Sequence, residues 1–307
     1  MSEVPRLMAV GQPADPPSGL TYPLALRHGG SSGFQSVFGI LVGFSAFALL
    51  VPLTNQLVLR ITHLFRGGDW EQYLAEAGSY RLPEGPAAGH LALALLIPVS
   101  ILIVRYVQGV SPRWLASVQP GVRWRFLLIC LMAAVVVLNG VLWLSFVAKG
   151  VPSFHSGESG WLGFLAVLVI TSPLQAAAEE VFFRGYLLQA IGSATGRQWV
   201  GVVGSALVFA LLHGGQNPAL FAHRFAFGLV AGALVVVTGG LEAGIAAHAV
   251  NNVAAYCYAM FTTSIAELKT VSAITWADAA WDIAGFAAFA AVAWWLSRRM
   301  RLATQTP

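Results

Sequence analysis

Apolar stretches long enough to cross a lipid bilayer recur along almost the whole chain, and no other feature restricts its fold as much. A spanning helix needs about 20 consecutive, mostly apolar residues. Runs of this kind cover residues 34–59, 88–110, 124–148, 161–190, 199–213, 219–238, 242–262 and 278–297. Only 10% of the residues are charged and 57% are hydrophobic, giving a mean hydropathy of +0.71. A soluble domain carries roughly a quarter charged residues, because a folded surface in water needs polar cover. The pattern predicts an all-α polytopic membrane protein of about eight transmembrane helices, packed as a conical or cavity-containing bundle.

Residues 1–33 are rich in Pro, Gly and Ser and read as a flexible N-terminal cytoplasmic tail, with the transmembrane domain at 34–301. The one sizeable loop, from Arg60 to about Ala87, has room for a short interfacial helix around Trp70–Glu76. The fourth run is too long for one straight crossing, at about 45 Å against about 30 Å of hydrocarbon. Pro173 is the expected kink, and the far end of that run is expected to project beyond the core. Cys130 and Cys257 lie inside apolar runs and read as small buried hydrophobes. Gly39 with Gly43, Gly228 with Gly232 and Gly240 with Gly244 are spaced for close helix packing.

The net charge of +4 does not indicate a nucleic-acid partner, because the basic residues sit at the ends of apolar runs. One side of the eight-span arrangement collects Arg6, Arg27, Arg105, Arg113, Arg123, Arg125, Arg197, Arg298, Arg299 and Arg301. The other collects Arg60, Arg66, Arg81, Lys149, Arg224 and Lys269. The positive-inside rule then puts both termini in the cytoplasm of a multi-pass protein, expected in a bacterial inner membrane.

Against this apolar background, ionisable residues inside a span stand out. They cost at least a few kcal/mol to insert and usually face a protein interior or a wet cavity. In the fourth run, Glu180 and Arg184 are four apart and share a helix face, so they can pair. Glu179 points about 100° away and has no such local partner. The asymmetry assigns different jobs, with Glu180 tethered by Arg184 and Glu179 free to handle a proton.

His213 closes the fifth run, four residues after Phe209. It and Glu179 are each seventeen residues from Gly196, so a helical hairpin turning there brings them to similar depth. His248 and Asn252 share a face of the seventh run, roughly 9 and 15 Å in from its start. An imidazole beside an amide can donate hydrogen bonds to a developing oxyanion. His223 and Arg224, near the start of the sixth run, read as an interfacial anchor on the opposite side, outside the site.

Glu-Glu-x-x-x-Arg, then Phe-x-x-x-His, then His-x-x-x-Asn, in this order on successive membrane helices, resembles the CAAX protease and bacteriocin-processing family of intramembrane endopeptidases. That family includes the type II CAAX prenyl proteases and the bacterial Abi-type proteins. The resemblance covers about 161–262, the expected catalytic core. It implies hydrolysis of a peptide bond in a membrane-associated or lipid-modified peptide or protein. By the same resemblance Glu179 activates water with His213 assisting, Glu180 and Arg184 support the site, and His248 with Asn252 holds the oxyanion.

No cofactor is favoured. Zinc is the alternative, and its ligands would come from Glu179, Glu180, His213 and His248. There is, however, no His-Glu-x-x-His motif. The expected partners are the substrate and the bilayer, with oligomeric state left open. Two other readings fit buried Glu and His: a proton- or ion-coupled transporter, and a non-catalytic scaffold or immunity protein on the same fold.

Overall fold

The computed structural model describes residues 12–307, which are 74% helical and include no strand. The chain is an all-α polytopic membrane protein. In order, the helices are α1 (Gly33–Arg66), α2 (Trp70–Gly78), α3 (Glu84–Ala94), α4 (Leu96–Tyr106), α5 (Trp124–Lys149) and α6 (Trp161–Glu179). A π-helical segment (Glu180–Leu187) continues α6 into α7 (Leu188–Thr195). Then come α8 (Gln198–Leu211), α9 (Pro218–Thr238), α10 (Glu242–Thr262), α11 (Ile265–Thr270) and α12 (Trp276–Arg299).

Every apolar run of the sequence becomes helix, yet among the described residues only six continuous stretches are both long and apolar enough to cross a membrane. Two of the eight expected crossings fall short for different reasons. Helix α8 has 14 residues, about 21 Å at helical rise and well under the hydrocarbon thickness. Helix α10 is long enough at 21 residues, but Glu242, His248, Asn251 and Asn252 dilute its apolar character. The expected loop after residue 59 is largely helical, because α1 runs on to Arg66 and α2 fills the interfacial position. Asp69 accepts a hydrogen bond from the backbone of Gln72 and so caps α2.

The outer helices expose their large apolar side chains, as lipid contact requires. Phe34, Leu41, Leu53 and Leu64 on α1 and Met132, Val136 and Val147 on α5 are all well exposed. The interior is built around α6 with its π extension, which meets α3 and α10, while α9 packs on α8 and α12. Glycines set the closest approaches. Gly39 and Gly43 lie against Tyr186 and Phe182, and Gly228 and Gly232 against Ala206 and Val202.

Two end faces can be distinguished. On the termini face, Val118 donates to the Gly239 carbonyl at 2.8 Å, Thr306 to that of Leu20 at 2.8 Å, and Gly192 abuts Pro23. On the opposite loop face, His155 donates to the Phe261 carbonyl at 2.9 Å and Asn217 to that of Ser272 at 2.8 Å.

The expected flexible tail needs correcting from residue 12 onward; residues 1–11 lie outside the described residues. Tyr22, Ala25 and Leu26 are buried, and Tyr22 donates its hydroxyl to the Leu115 carbonyl. Asp15 accepts from Trp114 Nε1 at 2.8 Å and Arg113 Nη2 at 2.7 Å. The Trp114 bond, with Arg113 adding to it against some desolvation, holds the Asp15 carboxyl below its usual range. The contact is therefore complete at neutral pH and is lost only on acidification through that lowered value. Pro, Gly and Ser here shape a docked segment that plugs the termini face.

A buried pair on this face was not singled out in the sequence. Arg123 holds Glu242 through Nε at 2.9 Å and Nη2 at 2.6 Å, and also donates to the Thr238 carbonyl at 2.8 Å. It locks the start of α5 to the turn between α9 and α10.

Candidate active site

Three helices converge where the sequence concentrates its misplaced polar residues. Helix α6 reaches Glu179 in regular α geometry with Pro173 inside it, and the change to π geometry comes at Glu180. Insertions of this kind recur at functional sites because they re-aim side chains within a continuous helix. Ser205, on α8, donates to the Phe183 carbonyl at 2.7 Å within this segment.

Glu180 and Arg184 are both fully buried, with Glu180 Oε1 3.1 Å from Arg184 Nη1. The guanidinium also lies over Phe209, 4.1 Å from the ring centroid, and 5.2 Å from that of Phe227. Its charge is thus compensated by one carboxylate and two aromatic faces. The Glu180–Arg184 pairing read from spacing stands, and Phe209 acts as its lid.

His248 is where the arrangement departs from expectation. Its Nδ1 lies 2.9 Å from Glu180 Oε1, and its Nε2 lies 3.5 Å from Glu179 Oε2. Adjacent carboxylates diverging by about 100° on one helix are bridged by the two sides of one imidazole on another. With Glu180 ionised, Nδ1–H donates to it, which fixes the tautomer and turns Nε2 toward Glu179. Glu179 is therefore not without a neighbour: its partner comes from α10, beyond the reach of local spacing. It keeps 9% exposure where Glu180 has none.

Asn252, one turn along α10, does not share His248's partners. Its amide Nδ2 donates to Gln175 Oε1 at 3.0 Å, and its Oδ1 accepts from Asn251 at 3.4 Å. Gln175 is a site residue missed in the sequence, although it stands four positions before Glu179 in an apolar stretch. His213 lies just past the end of α8 rather than within it. Its Nδ1–H donates to the Phe209 carbonyl at 2.7 Å, leaving Nε2 available, and its ring meets the edge of Phe209 at 4.6 Å.

These residues border a cavity of about 410 Å³, whose wall includes Gln175, Phe209, His213, His248 and Asn252. Glu179 adjoins it through His248. Because α8 stops early, the space beyond its end is left to the cavity. His223 and Arg224 also line it, so they are not a separate anchor. Phe227, one turn along α9 from His223, has its ring 4.9 Å from His248, which puts the pair one turn above the site.

His90, a second residue not singled out, ties the opposite wall together. Its Nδ1–H donates to Thr171 at 2.9 Å and its Nε2 accepts from the Tyr256 hydroxyl at 3.1 Å. Thr171 passes its own proton to the Val167 carbonyl at 3.0 Å, so every donor in the chain is used.

Among the described residues no three His, Cys, Asp or Glu side chains gather closely enough to hold a metal ion.

Gly244 faces Glu180 across the α6–α10 contact, where an added Cβ would lie 2.9 Å from Oε2. Gly244→Ala is expected to displace the carboxylate from His248. Thermal unfolding in detergent should show a loss of about 1–3 kcal/mol, with reduced activity.

The fold and this cluster define an integral membrane protein with a polar, carboxylate-based site buried in its helices. Residues 161–254 match the family model described as type II CAAX prenyl endopeptidase Rce1-like. That segment begins where the expected catalytic core begins and holds every site residue named in this subsection except His90 and Tyr256. The chain is also similar to the uncharacterized protein YyaK of Bacillus subtilis (strain 168). The two are 26% identical over 227 residues, 69% of this chain and 75% of that protein.

Proposed function

We propose that the chain is an intramembrane endopeptidase that hydrolyses a peptide bond of a membrane-associated or lipid-modified substrate, without a metal. The observation that carries this reading is His248, held between a carboxylate clamped by Arg184 and a second carboxylate at the cavity edge. Such a pair of carboxylates in different surroundings suits a division between orienting group and general base. The Rce1-like match supports the same chemistry.

In the proposed mechanism Glu179 takes a proton from water as the water oxygen bonds to the scissile carbonyl carbon. The carbonyl oxygen becomes an oxyanion, stabilised by the amide N–H of Asn252 not used by Gln175, while Nε2 of His248, whose Nδ1–H is committed to Glu180, accepts a hydrogen bond from the newly protonated Glu179. Glu179 then returns the proton to the amide nitrogen as the C–N bond breaks, giving a carboxylic acid and an amine. Glu180 and Arg184 act as positioning residues, fixing His248 as an orienting carboxylate fixes a catalytic imidazole. His213, its Nδ1–H held by the Phe209 carbonyl and its Nε2 free at the cavity wall, assists Glu179 in activating the water.

The test is purified protein in nanodiscs incubated with a library of membrane-associated and lipidated peptides, with products read by mass spectrometry. A new amino terminus formed by the wild type and absent with Glu179→Ala supports the reading. Proton flux in proteoliposomes without any cleavage would favour a transporter. Gln175→Leu, which releases the Asn252 amide, should lower kcat about three- to tenfold with little change in KM. That is the effect of one hydrogen bond worth about 1 kcal/mol.

A further inference from the structure

The cavity has its floor and its mouth toward different faces of the membrane. Its floor is the site itself. Beyond Glu180 and Arg184, the termini face is closed by the docked segment around Tyr22, by Trp114 and Leu115, and by Gln189, all buried. Gln189 Nε2 donates to the Trp114 carbonyl at 3.0 Å, stitching the plug together. Walking along α10 from His248 through Asn252 to Tyr256, the lining moves toward the end of that helix on the loop face. There Tyr80, Leu268, Lys269 and Val271 complete the wall, and Val271 is 43% exposed.

Charge assigns these two faces to sides of the membrane. Nine of the ten basic residues counted above on the termini side lie within the described residues, on the closed face or at the helix ends that reach it. Six basic residues belong to the loop side, where Asp69, Glu71, Glu76, Glu84, Glu158 and Glu267 also collect. The excess of Arg and Lys marks the cytoplasmic side, so the sealed face is cytoplasmic and the mouth is not.

We infer that the substrate enters from the non-cytoplasmic side, as an extended segment of an exported peptide or of an extracytoplasmic part of a membrane protein. A cavity of about 410 Å³ is of small-molecule-site size and admits a few side chains, not a folded domain. The reaction then follows export: translocation must supply the substrate before this protein cuts it. The identity of the entrant as a peptide rests on the endopeptidase reading, whereas the sidedness of the mouth does not.

Sidedness is tested in intact bacterial cells with a membrane-impermeant maleimide. Single cysteines are placed at Val271→Cys, at the mouth, and at Thr195→Cys, exposed on the termini face, in a Cys130→Ala, Cys257→Ser background. The inference expects Val271→Cys to label in intact cells, and Thr195→Cys to label at least tenfold more after permeabilisation. The reverse pattern, or equal labelling of both without permeabilisation, overturns it. Labelling needs no activity, so a failed cleavage assay leaves this result standing, and a reversed topology leaves the proposed chemistry standing.

Discussion

Glu179→Ala should abolish peptide cleavage while leaving the protein inserted and folded. A positioned general base contributes about 10²–10⁴-fold, and here the same carboxylate also returns the proton to the leaving amine, so residual activity should sit near background. The fold should tolerate the change, because Glu179 is 3.5 Å from His248 and leaves no buried counter-charge behind. Arg184 keeps Glu180, and His248 keeps its Nδ1 partner. Unchanged thermal unfolding in detergent together with lost cleavage is the expected pair of results. Glu179→Gln should behave the same way, since the amide fills the space but cannot accept the proton.

The second large effect is on stability. Glu180→Leu strands Arg184 at zero exposure with no carboxylate, and breaking a buried pair from one side costs about 3–5 kcal/mol. Phe209 and Phe227 offset part of this through their ring faces. Adding Arg184→Met removes the stranded charge and should recover most of the loss, as apolar replacement of both partners generally does. Activity should not return with it, because His248 has then lost the acceptor that sets its tautomer and orientation. Thermal unfolding and cleavage measured on the single and double variants separate the two roles. A double variant as unstable as the single would show that the pair is not a charge clamp.

Much of this was legible in the sequence, and the limit lies where local spacing stops carrying information. Apolar runs of membrane length gave the helices, and polar residues interrupting them gave Glu179, Glu180, Arg184, His213, His248 and Asn252. The Glu180–Arg184 pair followed from a four-residue offset. The bridging of both carboxylates by His248 could not, because it depends on how α6 meets α10 and on the π segment that begins at Glu180. Gln175 carried a usable signal, a lone amide four residues before Glu179. His90 carried no signal of its own, because Thr171 and Tyr256 come beside it only in the fold.

His223 and Arg224 were assigned to the right face but not to the cavity. Their position depends on α8 ending early and leaving space beside α9. The N-terminal segment misled for a related reason: its composition suits a linker, whereas Tyr22 and Leu26 are held in place by partners far along the chain. Periodicity reports which face of a helix is apolar, not which helix it will meet.

The central claim, proteolysis dependent on Glu179, is tested most directly by quantitative membrane proteomics of cells expressing the wild type or Glu179→Ala at equal levels. At least one membrane-associated or exported protein should accumulate as an uncleaved precursor with the variant, its new terminus appearing only with the wild type. Identical terminal peptides in the two strains, with the wild-type protein present and folded, would contradict it.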